Sequence, residues 1–310
     1  MKFRFHTFAD LEAILREGGI SPEDYAVKRE SFISGLPEEN VRAELDRRIA
    51  VTRQSLIRGL ETPQHSRSGL TRGAAAAFAG GQKGLVRDGL FRRAIAYALS
   101  INEVNACGGK VVAFPTAGSS GIVPGVIWAW WDHKSGQGQP EAGIFPLSPY
   151  EPPFDPRLRG AFLLASLAGV LIAQGASLSG AEGGCQAECG AAGAMAACAL
   201  AYLEALPLGE CFSAAALSLK NSLGLACDPV AGLVEVPCVK RNAFVAVNAL
   251  TAVDLTLSGI MSMIPFDEAV WAMKQIGDAM PGAIKETATG GLALTPTGLA
   301  WKERLARENP

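Results

Sequence analysis

Cys185, Cys227 and Cys238 are the residues whose types and placing most readily do chemistry. Cys185 lies in GGCQAECG with Cys189, Cys227 in ACDPVAG, and Cys238 in VPCVKRN. The three are 42 and 11 residues apart, unlike the tight pairs of zinc ribbons or ferredoxins. Each is marked by a nearby Gly or Pro, which predicts turns at or near helix ends. There a metal can approach the backbone, and a helix N-terminus can lower a thiol pKa. Spacing alone leaves two readings open, metal ligands or small buried hydrophobes. Seven cysteines, an odd number, fit a disulfide framework poorly.

Two further stretches could meet a ligand. PTAGSSGIVPG, 115–125, is built of small residues, so its backbone amides could cradle an anion or simply turn the chain. KETATGGLALTPTG, 285–298, puts Thr hydroxyls around Gly290-Gly291 and is open to the same two readings. His6, His65 and His133 are the only histidines and read as surface or turn residues. His65, beside SRSGLTRG, is the one to test as an acid or base.

The elements that must position these groups read as mainly α-helical. Residues 1–35 suggest one or two short helices turning at Gly18-Gly19 and Ser21-Pro22. Pro37 suits a first helical turn, and Val41, Leu45, Ile49, Leu56 and Leu60 then line one face over 38–60. Residues 61–73 read as turns, and helix resumes near 85–104. The Gly- and Pro-rich stretch 128–156 reads as a long surface loop and a boundary between halves. Beyond it, helices are predicted over 158–174, 188–205, 211–223, 241–258 and 266–277, the last capped by Asp267. No run alternates as a strand would. The domain reading is a helical region over 1–60 and a catalytic region over 61–310, which could also be continuous.

Composition narrows the class. Hydrophobic residues make up 49%, charged ones 19%, and mean hydropathy is +0.20, which predicts burial against another subunit. A net charge of −2 offers no basic stripe for nucleic acid. The charged N-terminus does not read as a secretory leader, and the apolar run 161–173 is too short to span a bilayer. A cytoplasmic protein is expected.

Taken together, NEVNACGGKVVAFPTAGSSGIVPG, GGCQAECG, NSLGLACDPVAGLVEVPCVKRNAFVAVNAL and IGDAMPGAIKETATGGLALTPTG resemble the α chain of bacterial iron–sulfur L-serine dehydratase. The resemblance runs from about Glu61 to Leu299, with a weaker helical N-terminal part. It implies the compact, Ala/Gly-rich helical fold of that α chain. It further implies a [4Fe–4S] cluster on Cys185, Cys227 and Cys238, and conversion of L-serine to pyruvate and ammonia in amino-acid degradation and gluconeogenesis. Thr116, Gly118, Ser119, Ser120 and Gly121 would hold the substrate carboxylate. Lys240 and Arg241 would hold anionic charge near the cluster, or form an ordinary basic helix start beside Asn242. Cys189 would be a packing thiol or a support to the ligands, and Cys107, Cys198 and Cys211 core residues.

Some single-chain relatives carry a C-terminal cysteine that caps the free iron. This chain ends in KERLARENP without one, so the iron is expected to stay open. A separate β chain is expected as partner, and the base that takes the Cα proton could sit on it. The competing readings are an L-cysteine desulfidase, a pyridoxal-phosphate lyase and a non-catalytic subunit with structural zinc.

Overall fold

The computed structural model describes residues 2–81, 84–86, 88–135, 147, 152 and 154–308. Local signals start several helices. Thr7 and Asp10 cap α1 (Phe8–Gly18) reciprocally, and Gly19 ends it in a left-handed turn. Ser21 caps α2 (Pro22–Ser34), whose first residue is proline. In α3 (Glu38–Glu61), Val41, Ile49 and Leu56 are buried as the periodicity predicts, with Pro37 one position before the helix. Then follow α4 (Ala74–Gly80), α5 (Gly89–Ala106, capped by Asp88) and α6 (Ile122–Lys134). Asp155 caps α7 (Pro156–Gly175), and α8 (Gly180–Gly183) is a single turn. Next are α9 (Ala191–Leu203), α10 (Leu208–Lys220), α11 (Cys238–Leu257), α12 (Phe266–Ala279) and α13 (Pro296–Glu308). No strand occurs among the described residues, only two isolated bridges, His65 with Arg72 and Cys227 with Lys285.

α9 sits at the centre, against α6, α7, α10 and α11. Nearly all of it is buried alanine, glycine and other small apolar residues, so neighbouring helices approach closely. Gly125 shows the same constraint between α5 and α6: a Cβ there would lie 2.8 Å from the Ala98 nitrogen. Phe5, Leu11, Ile49 and Leu56 share this core with residues from 94 onward, so the core crosses the boundary drawn at residue 60. α7 is the one helix among the described residues long and apolar enough to cross a membrane, and 61% of its most apolar window is buried in the protein.

Three expectations need correction. Residues 128–134 are not loop but the last turns of α6, buried at Trp128, Ala129, Trp130 and Asp132, with Trp128 fully enclosed. Its indole donates to Thr52, and Asp132 accepts from both Arg53 and Tyr97. Burial on all sides erased the amphipathic signal there. The rest of the supposed loop and boundary, from 136 to 153, lies mostly outside the described residues. Asp267 does not cap its own helix, whose N-cap is Pro265; it accepts from the Phe8 and Ala9 amides and so caps α1 from across the molecule. Finally, α4 and α13 were unforeseen. α4 is capped at a distance, by Glu103 accepting from the Ala74 and Ala75 amides.

Replacing Asp267 with alanine should therefore loosen α1 and lower stability by about 1 kcal/mol. A urea midpoint unchanged from wild type would rule out this cross-helix cap.

Candidate functional site

Cys185 stands where α8 hands over to α9. Gly184 makes the turn at φ +72, and a Cβ there would crowd Leu225 O at 3.0 Å. A π-helical turn, Gln186–Gly190, follows, with Cys185 as its leading residue. Such wide turns are common where a helix must present a functional side chain. Gln186 is fully buried and fastens three segments. Its own amide donates to Leu225 O, its side-chain oxygen accepts from the Gly224 amide, and its side-chain nitrogen donates to Met273 O.

Gln186 thus fixes the irregular chain that leads to Cys227. Cys227 is gripped through its backbone, donating to Ile284 O and accepting from the Glu286 amide, both at 2.8 Å. Asp228 accepts from the Leu292 amide at 2.8 Å, and Gly291 passes so near that a Cβ would lie 2.3 Å from its carboxylate. The C-terminal stretch from 284 to 292 therefore straps this loop.

Cys238 is the first residue of α11. Asn242, one turn on, donates to Cys238 O and Gly118 O and accepts from the Gly121 amide. It ties the Cys238 helix to the PTAGSSG turn. Glu235, just before Cys238, accepts from Ser68 and Thr71, which docks the turn-rich segment carrying His65.

The three thiols are buried and near enough that charge on Cys185 is felt at both Cys227 and Cys238. A hydrogen bond from Cys189 and the neighbouring Arg241 guanidinium lower the Cys185 pKa below the usual thiol range. Burial pushes Cys227 up strongly and Cys238 up to about 12, outweighing the lowering by a backbone hydrogen bond at Cys238. Cys189 is pushed up by its bond to Cys185 and by burial. Arg241 donates to Ala226 O and lies 3.8 Å from Asp228, attractive but beyond a hydrogen bond. It also lines an open cavity of about 540 Å³ with Pro237, Lys240, Phe244 and Asn248.

Sequence reading overlooked Glu188, three residues after Cys185. Burial raises its pKa, the Thr116 hydroxyl bonds to it, and the Cys227 thiol donates to it at 3.8 Å. An acid inside the apolar GGCQAECG was the available signal. Of the anticipated cradle, Thr116 and Gly118 are half-buried and face this carboxyl. Ser119, Ser120 and Gly121 are interior; Ser119 donates to Phe114 O, Ser120 to Ala117 O through its amide, and Gly121 to Asn242. Arg241 joins the thiols, whereas Lys240 is exposed on the cavity wall. His65 and His6 are exposed, and His133 is half-buried at the end of α6. Cys198 and Cys211 are buried as expected; Cys107 is only half-buried, at the end of α5.

Gln186→Leu keeps the bulk but removes the side-chain bonds. It should destabilise the protein by about 2 kcal/mol and speed amide exchange at 224–227. Exchange at wild-type rates there would remove Gln186 from this positioning role.

The sequence pattern described as serine dehydratase alpha chain matches residues 12–293. The chain is 39% identical over 307 residues to the probable L-serine dehydratase alpha chain of Bacillus subtilis, covering 97% of this chain and 95% of that one. It is 38% identical to the L-serine dehydratase alpha chain of Peptoniphilus asaccharolyticus, covering 94% and 95%. Against the L-serine dehydratase of Streptomyces coelicolor, identity is 35%, covering 95% of this chain but 62% of that protein. With a match this long and fold elements to suit it, the chain belongs to the serine dehydratase alpha chain family.

Proposed function

We propose that this chain is the α chain of a cytoplasmic lyase that converts L-serine to pyruvate and ammonia, with a [4Fe–4S] cluster on Cys185, Cys227 and Cys238 and a β chain as partner. The carrying observation is the convergence of three buried cysteines, from three chain segments, beside one guanidinium. Membership of the family supports the substrate, since its relatives are called L-serine dehydratase. The α-chain names of those relatives support the β partner.

The donor set fits the cluster. Thiolates are the usual ligands of iron–sulfur clusters. Among the described residues no three of His, Cys, Asp and Glu close on a single point as one ion requires. A cluster needs no such point, because each thiolate meets a different iron. Arg241 would balance the negative charge of the ligands. When bound, the cluster would supply an iron free of protein ligand, a Lewis acid for the serine hydroxyl.

The residues of this chain do the rest of the positioning. Ala117 and Gly118 open a 3-10 turn, whose first amides have no carbonyl within the turn to meet. They suit the substrate carboxylate. Glu188 holds the Thr116 hydroxyl in place. Because Glu188 already accepts from Thr116 and Cys227, we assign the acceptor of the Cα proton to the joint with the β chain. Loss of that proton and of the β-hydroxide, together one water, turns serine into aminoacrylate. It tautomerises to an imine, and water hydrolyses the imine to pyruvate and ammonia.

The test is anaerobic co-expression with a β chain, followed by iron, sulfide and pyruvate assays. Cys185→Ser, Cys227→Ser and Cys238→Ser should each lose most of the iron and cut pyruvate formation by at least roughly 100-fold. Wild-type iron content in all three variants would defeat the cluster assignment. Faster release of pyruvate from L-cysteine than from L-serine would instead favour a desulfidase.

A further inference from the structure

We infer that Glu286 receives the α-ammonium group of the substrate. This rests on the amino-acid lyase reading above. A zwitterionic amino acid brings a cation as well as a carboxylate, and a buried or half-buried site must offer it an acceptor. Three carboxylates surround Cys227. Glu188 is engaged by Thr116 and Cys227; Asp228 accepts from the Leu292 amide through Oδ2, while its Oδ1, buried without a hydrogen bond, lies 3.8 Å from Arg241 and is held by that cation. Glu286 remains: among the described residues its carboxylate has no hydrogen bond and no ion pair.

Its placement is enforced. Glu286 has φ +63, the left-handed region that a non-glycine residue seldom adopts. Such a conformation persists where surroundings over-determine it, often at ligand clamps. Here the Glu286 amide donates to Cys227 O, Lys285 forms an isolated bridge with Cys227, and the Thr287 hydroxyl ties back to Gly282 O and Ala283 O. The 2.8 Å bond from its amide to Cys227 O holds Glu286 beside the site, exposed, and near enough for its charge to be felt at Glu188 and Cys227. An exposed, unpaired carboxylate one backbone hydrogen bond from Cys227, carried on a strap tied at both sides, is what an incoming ammonium needs.

The experiment uses the anaerobic holoenzyme with its β chain. Glu286→Gln should raise the KM for L-serine by roughly 10- to 100-fold, while iron and sulfide content stay at wild-type levels. Inhibition by L-glycerate, which keeps the carboxylate and hydroxyl but has no nitrogen, should change less than about twofold. Glu286→Gly, which the left-handed backbone accepts without strain, should show the same selectivity and guards against a merely misfolded loop. A serine KM within twofold of wild type in both variants overturns the assignment, as does an equal weakening of serine and L-glycerate. A wild-type enzyme with full iron that makes no pyruvate from serine would count against the lyase reading itself, whatever Glu286 does.

Discussion

The site depends on the side chains that satisfy an irregular backbone. Between α10 and α11 the chain runs from 221 to 237 with only a short 3-10 turn, Val230–Gly232, to absorb its amides and carbonyls. A buried backbone group without a partner is costly, so something must reach in. Gln186 and Arg241 do so, bonding to Gly224 and Ala226, while Asp228 fastens the loop outward to Leu292 and Asn242 fastens the start of α11 to Gly118. The cysteines inherit their positions from these bonds. Cys185 follows Gly184 and leads the turn that holds Gln186, Cys238 lies one turn before Asn242, and Cys227 lies between Ala226 and Asp228.

Small residues make those reaches short enough. Alanine fills α9 and glycine marks the closest approaches, so helices pack near enough for one amide side chain to span three segments. The high hydropathy of the chain follows from the same constraint. Its apolar residues are mostly interior, with Phe244, Met263 and Trp271 among those left outside.

The electrostatics follow from burial and one cation. Low-dielectric surroundings favour neutral thiols at Cys227 and Cys238, whereas Cys189 and Arg241 favour the thiolate at Cys185. The acids are distributed with equal economy. Glu188 is buried and committed, Asp228 fastens the strap, and Glu286 stands at its outer edge.

Helix class, the apolar faces and several helix starts were legible in the residues, because they arise from local spacing and capping. The 3.6-residue pattern of α3, Ser21-Pro22 at α2 and the glycine after α1 act within a few residues of themselves. The three cysteines were selected by long motifs, not by spacing. Tertiary structure settled what local pattern could not encode. Trp128 and Asp132 hid a helix because it is buried all round, and Asp267 and Glu103 cap helices that lie far along the chain. Glu188 and Glu286 joined the site only when three segments met around Cys227. A carboxylate acquires such a role from the groups folded against it, and sequence spacing carries no record of those neighbours.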